Sequence, residues 1–124
     1  MVFRNNLYCI DAVQRFEWGV SYQLHLNGEH VIYKAHFPGE PITPGVCLLQ
    51  MGAELLSDSV GSDLECEQFK NVKFVSVLRP DGAPVYADVQ DIRIEEGLVK
   101  ARIDFRKSDV PVAKLSLICR TIVK

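Results

Sequence analysis

The chain has 124 residues, enough for one domain spanning 1–124 and no second. Its 14 Lys+Arg against 16 Asp+Glu and its 48% hydrophobic content are those of a globular protein, neither a disordered tail nor a fibrous repeat. A nucleic-acid partner is not expected without a basic excess. The longest uncharged stretch, Pro41 to Ala53, falls short of the roughly 20 apolar residues of a membrane span. The N-terminus lacks the apolar segment of a secretory signal, so a cytoplasmic location is expected. Cys9, Cys47, Cys66 and Cys119 are far apart with no CxxC pair, which reads as four buried free thiols and no metal site.

Phe16, Trp18, Val20, Tyr22, Leu24 and Leu26 alternate with Glu17, Gly19, Ser21, Gln23 and His25, the signature of a half-buried strand. Asn27-Gly28 follows, and Val31, Tyr33, Ala35 and Phe37 resume the alternation, which predicts an antiparallel hairpin. Gly39 to Gly45 breaks the pattern; Thr43 is the expected N-cap and Pro44 the first residue of a helix. The helix body, GVCLLQMGAELLSDSV, is apolar nearly all round in its first three turns and is expected to be buried. Gly52 in its middle costs about 1 kcal/mol relative to alanine, which suggests the close approach of another backbone or a ligand.

After a polar joint at residues 57–65, four strands are expected: Phe69 to Leu78, Val85 to Ile94, Leu98 to Phe105 and Val112 to Val123. Hairpin, helix and meander describe an α+β architecture in which a curved antiparallel sheet wraps one long buried helix. A single sheet leaves one side of so apolar a helix uncovered, and dimerisation is the natural remedy.

The segment from His36 to Val46, HFPGEPITPGV, carries the chemistry. It sets an imidazole beside the N-terminal amides of a buried helix, which have no intrahelical partner. Neutral imidazole takes a proton from a carbon next to a carbonyl, and an amide of Gly45 or Val46 stabilises the enolate-like oxygen that forms. His25 and His30 read as ordinary surface residues.

HFPGEPITPGV resembles the HFPGxPxxPGV signature of the FabZ-type 3-hydroxyacyl-acyl carrier protein dehydratases of the hot-dog fold. NVKFVSVLRPDGAPVYADV and LVKARIDFRKSDVPVAKLSLICR are similar to that family's later strands. The resemblance implies a homodimer with two interfacial active sites, no cofactor, and a 3-hydroxyacyl thioester on acyl carrier protein or coenzyme A as substrate. It makes His36 the base on the C2 proton and Gly45 the amide donor to the thioester carbonyl. Phe37, Gly39, Pro44, Val46, Leu49 and Ala53 fall along the substrate path.

The family's acidic residue, fourteen positions after the histidine on the other subunit's helix, is here Gln50. An amide hydrogen-bonds a departing hydroxyl but cannot protonate it. Where the family helix reads acid-x-x-x-Gln, this one reads Gln50-Met51-Gly52-Ala53-Glu54, as if exchanged. Glu54, one turn along the helix, is either the displaced acid or a buried carboxylate paired with an Arg or Lys. Thioester hydrolysis, and a non-catalytic or heterodimeric role beside a paralogue, stay open as alternatives; assembly to a hexamer is equally open. Lys70, Lys73, Arg79, Arg106 and Lys107 form either a landing surface for an acidic carrier or a solvated face.

Overall fold

A computed structural model describes residues 2–35 and 39–122. His36 and Phe37, the expected base and its neighbour, lie outside the described residues, as does the end of the predicted last strand at Val123.

Strand β1 (Tyr8–Phe16) turns at Glu17-Trp18 into β2 (Gly19–Leu26). Short helix α1 (Val31–Ala35) and long helix α2 (Gly45–Val60) follow, then β3 (Leu64–Phe74), β4 (Val85–Glu95), β5 (Leu98–Lys107) and β6 (Val110–Thr121). The strands form one antiparallel sheet in the order β1-β2-β4-β5-β6-β3. The sheet and helix give the expected α+β architecture, a hot-dog fold. Alternation places Val99, Ala101, Ile103 and Phe105 of β5 and Ala113, Leu115, Leu117 and Cys119 of β6 inward, where they pack under Cys47, Leu48, Met51, Leu55 and Leu56 of α2. Gly61, left-handed at φ 70°, ends the helix, its amide bonded to the Ser57 carbonyl.

Several expectations need correction. The hairpin partner of β2 is β1, and residues 31–35 of the expected partner strand form α1. Asn27 uses its side-chain oxygen to accept the Glu29 amide, and His30 Nδ1 accepts the Ile32 amide, so the chain turns into a helix. Only Tyr33 of α1 is buried, which explains the misleading alternation. Helix α2 begins at Gly45 with Pro44 at its N-cap position; Thr43 is buried and its hydroxyl bonds the Tyr33 hydroxyl at 2.8 Å instead of capping. The expected four-strand run divides, because β4, β5 and β6 form a meander while β3 lies at the far edge beside β6. Cys66 and Cys119 are paired in a disulfide, since they face each other in the β3·β6 register despite a separation of 53 residues. Only Cys9 and Cys47 are free thiols, and Cys9 is just partly buried. Gly52 faces the sheet, where an added Cβ would stand 3.2 Å from Leu115 and 3.3 Å from Ile103; the close neighbours are side-chain methyls, not a backbone or ligand.

Candidate functional site

Helix α2 keeps Cys47, Leu48, Met51, Gly52, Leu55 and Leu56 against the sheet. The opposite side carries Val46, Leu49, Gln50, Ala53, Glu54 and Ser57, spaced three and four apart on one stripe. Val46 is 72% exposed and the others are half-buried, so this stripe is the uncovered side expected for the helix. Gly45, the first helical residue, lies under the Phe74 ring; a Cβ there would stand 2.6 Å from the ring. Its amide belongs to the first turn, where the helix dipole favours a partial negative charge. Pro44 precedes it in extended conformation, and Gly39 is exposed at φ 94°.

Gln50 and Glu54 stand side by side, with Gln50 Nε2 donating to Glu54 Oε2 at 2.9 Å. Three further donors come from the N-terminal segment: the Phe3 amide to Oε2 at 2.8 Å, the Arg4 amide to Oε1 at 2.8 Å and the Tyr8 hydroxyl to Oε1 at 3.0 Å. Among the described residues no Lys or Arg side chain reaches Glu54; the Arg4 guanidinium bonds Asp58 at 2.8 Å, one turn further on. Asp58 also accepts the Tyr22 hydroxyl at 2.7 Å. Burial first, and the Glu54 carboxylate second, raise the Tyr8 phenol far above its ordinary range, so it stays a donor.

A groove of about 560 Å³ opens beside this pair, with Gln50, Ala53 and Glu54 on one wall and Leu64, Cys66 and Phe69 of β3 on the other. Its lining combines polar groups, among them Arg4, Gln50, Glu54 and Ser57, with apolar ones, among them Leu64, Phe69 and Ile122, a mixture that suits a ligand with polar and hydrocarbon parts. Sequence reasoning missed the β3 wall and the N-terminal donors. Phe3 and Arg4 act through backbone amides, which leave no mark on residue type. Of the basic residues considered for a carrier surface, Arg106 bonds Asp88 at 2.9 Å and Lys107 bonds Asp81 at 2.6 Å. His25 is an exposed partner of Asp11. Among the described residues no cluster could hold a metal ion, and no helix is long and apolar enough to cross a membrane.

Sheet and buried helix define a hot-dog protein. Residues 13–111 match the model of the ApeI-like family, described as ApeI dehydratase, and the chain belongs to that family. A 3-hydroxyacyl-[acyl-carrier-protein] dehydratase FabZ from Fusobacterium nucleatum is 28% identical over 89 residues, covering 68% of this chain and 62% of the relative. The chain thus spans less than two thirds of that relative's length. Among solved structures, the dehydratase heterocomplex ApeI:P from Xenorhabdus doucetiae aligns with a TM-score of 0.70 at 19% identity, over 90% of this chain and 96% of that one. A hypothetical thioesterase with coenzyme A from Streptococcus pneumoniae aligns at 0.68 and 11% identity, over 94% and 87%. These two likenesses are of fold.

Proposed function

We propose that the protein eliminates water from 3-hydroxyacyl thioesters, carried on acyl carrier protein or coenzyme A, to give trans-2-enoyl thioesters in cytoplasmic acyl-chain synthesis. The observation that carries this reading is that α2 presents both expected groups, the first-turn amide of Gly45 to hold a carbonyl and, at the groove, the Gln50 amide to meet the hydroxyl of a substrate bound in the site of the other subunit. With the His36 motif, these supply a base, a carbonyl binder and a group for the hydroxyl. The His36 imidazole takes the C2 proton while the Gly45 amide steadies the charge on the thioester oxygen. The C2 electron pair becomes the double bond as the C3–O bond breaks. The imidazolium returns its proton to the departing hydroxyl, which leaves as water, and Gln50 orients that hydroxyl by hydrogen bonding. Phe37, Gly39, Pro44 and Val46 shape the entry, and Leu49 and Ala53 line the acyl path. The sites belong at the interface of a homodimer in which the exposed stripe of α2 and the edge strand β3 are covered.

A second reading is favoured by one residue. Gln50 stands where the resemblance places an acid, so the chain could serve as one half of a heterodimer whose partner supplies it. The deciding experiment is hydration of crotonyl thioester by the purified protein beside His36→Ala and Gln50→Glu. Turnover lost in His36→Ala supports the dehydratase. An inactive native chain, with turnover appearing in Gln50→Glu, supports the partnered subunit. Release of free thiol overturns both in favour of hydrolysis.

A further inference from the structure

The bridge between β3 and β6 stands at the groove. Alternation along β3, shifted by the bulge between Cys66 and Gln68, puts Leu64, Cys66 and Phe69 on the wall across from α2. Cys66 is half-buried there, whereas its partner Cys119 is fully buried in the core. The two sulfurs therefore differ in what reaches them once the bond between them opens: one belongs to the groove, the other to the interior. Of the two remaining cysteines, Cys47 is buried under α2 and Cys9 lies on β1, so Cys66 alone lines the groove.

We propose that Cys66 is a redox-gated modification site: with the Cys66–Cys119 bond intact the groove holds no nucleophilic sulfur, and with the bond reduced the Cys66 thiol captures α,β-unsaturated acyl thioesters bound there. The inference rests on the dehydratase reading for its electrophile, because a trans-2-enoyl thioester is the product of that reaction. Opening by a dithiol is thiol–disulfide exchange, in which two electrons and two protons pass to the bridge, leaving the Cys66 and Cys119 thiols and the reductant's own disulfide. Thiolate is the attacking form. Its sulfur forms a bond to C3 of the enoyl thioester, the C2=C3 electron pair moves to C2, and C2 takes up the proton that the thiol gave to water. This second step is an addition: nothing is oxidised and no group leaves. Binding in the groove holds C3 near the sulfur, an advantage that a thiol elsewhere on the surface lacks.

The test is intact-mass and peptide-mapping spectrometry of the full chain incubated with crotonyl pantetheine, before and after treatment with dithiothreitol and its removal. Thiol titration of the untreated chain is expected to find two free thiols, Cys9 and Cys47. The reduced chain is expected to gain the whole mass of one thioester at Cys66, and the untreated chain none at that position. Labelling of Cys9 is expected to be equal in the two states, since Cys9 is free in both. Butyryl pantetheine, which has no double bond to attack, is expected to slow the Cys66 reaction by occupying the groove. Cys119→Ala, which leaves Cys66 without its partner, is expected to be labelled with no reductant, and Cys66→Ser not to gain that mass in either state. Four free thiols in the untreated chain, no adduct at Cys66 after reduction, or labelling of Cys66 that butyryl pantetheine does not slow, as in a reduced chain that has unfolded, overturns the proposal. The enoyl thioester is supplied ready-made, so a chain that is labelled in this way but does not hydrate crotonyl thioester refutes the proposed activity and leaves this inference standing.

Discussion

Tyr8, Tyr22 and Tyr33 each bury a phenol and keep its oxygen hydrogen-bonded, to Glu54, Asp58 and Thr43 respectively. Burial is the largest cause of a raised pKa in all three, and Tyr22 is pushed up to about 12. A raised folded-state pKa means the folded form holds its proton longer than the unfolded chain does. The stabilisation is therefore complete below the ordinary phenol value of about 10 and is lost as pH climbs toward 12 and beyond. In an alkaline titration followed at the phenolate absorbance, these three are expected to ionise only together with loss of near-ultraviolet dichroism. Ionisation of all tyrosines near pH 10 in a still-folded protein would contradict that. At this scale the sequence was informative about Gln50 and Glu54, because side chains four apart on a helix must meet. It was silent about Phe3 and Arg4, whose contribution comes from the main chain.

Among the elements, β2, β4, β5 and β6 were legible because each has one face on the core and one on solvent. Strand β1 was not. Beyond Ile10 it is exposed along its length, so nothing selects an apolar residue at alternate positions. Helix α1 failed for the converse reason, since five residues offer too few positions to tell a period of 2 from one of 3.6. The β1–β2 turn makes its own demand at Gly19, which has φ 150° and packs against the β4 backbone so closely that a Cβ would collide with the Val89 carbonyl oxygen. Gly19→Ala must displace backbone and is expected to cost about 3 kcal/mol, read as a shift in urea midpoint with an unchanged slope. Gly28→Ala, whose Cβ would meet nothing nearer than 3.6 Å, is the control.

For the molecule as a whole, the Cys66–Cys119 disulfide closes a loop across 53 residues and ties the edge strand to the last strand. Loop-closure entropy for such a length corresponds to about 4 kcal/mol. Cys66→Ala with Cys119→Ala, or dithiothreitol treatment of the native chain, is expected to lower unfolding free energy by roughly that amount; equal stability with and without reductant would refute it. Spacing could not reveal the bridge, because pairing depends on sheet order, and sheet order places β3 beside a strand that comes after two others.

That sheet order also fixes the sequence of events at the ribosome. Strand β3 has its in-sheet neighbour in β6, so it emerges about fifty residues before the segment that pairs with it. At ~5–20 residues per second the wait is roughly 3–10 s. Through that interval the apolar face of α2 also lacks β5 and β6, which complete its cover. The nascent chain is consequently a client for whatever shields apolar surface during translation, and its yield in the cell should respond to elongation rate between β3 and β6 more than to the stability of the finished fold.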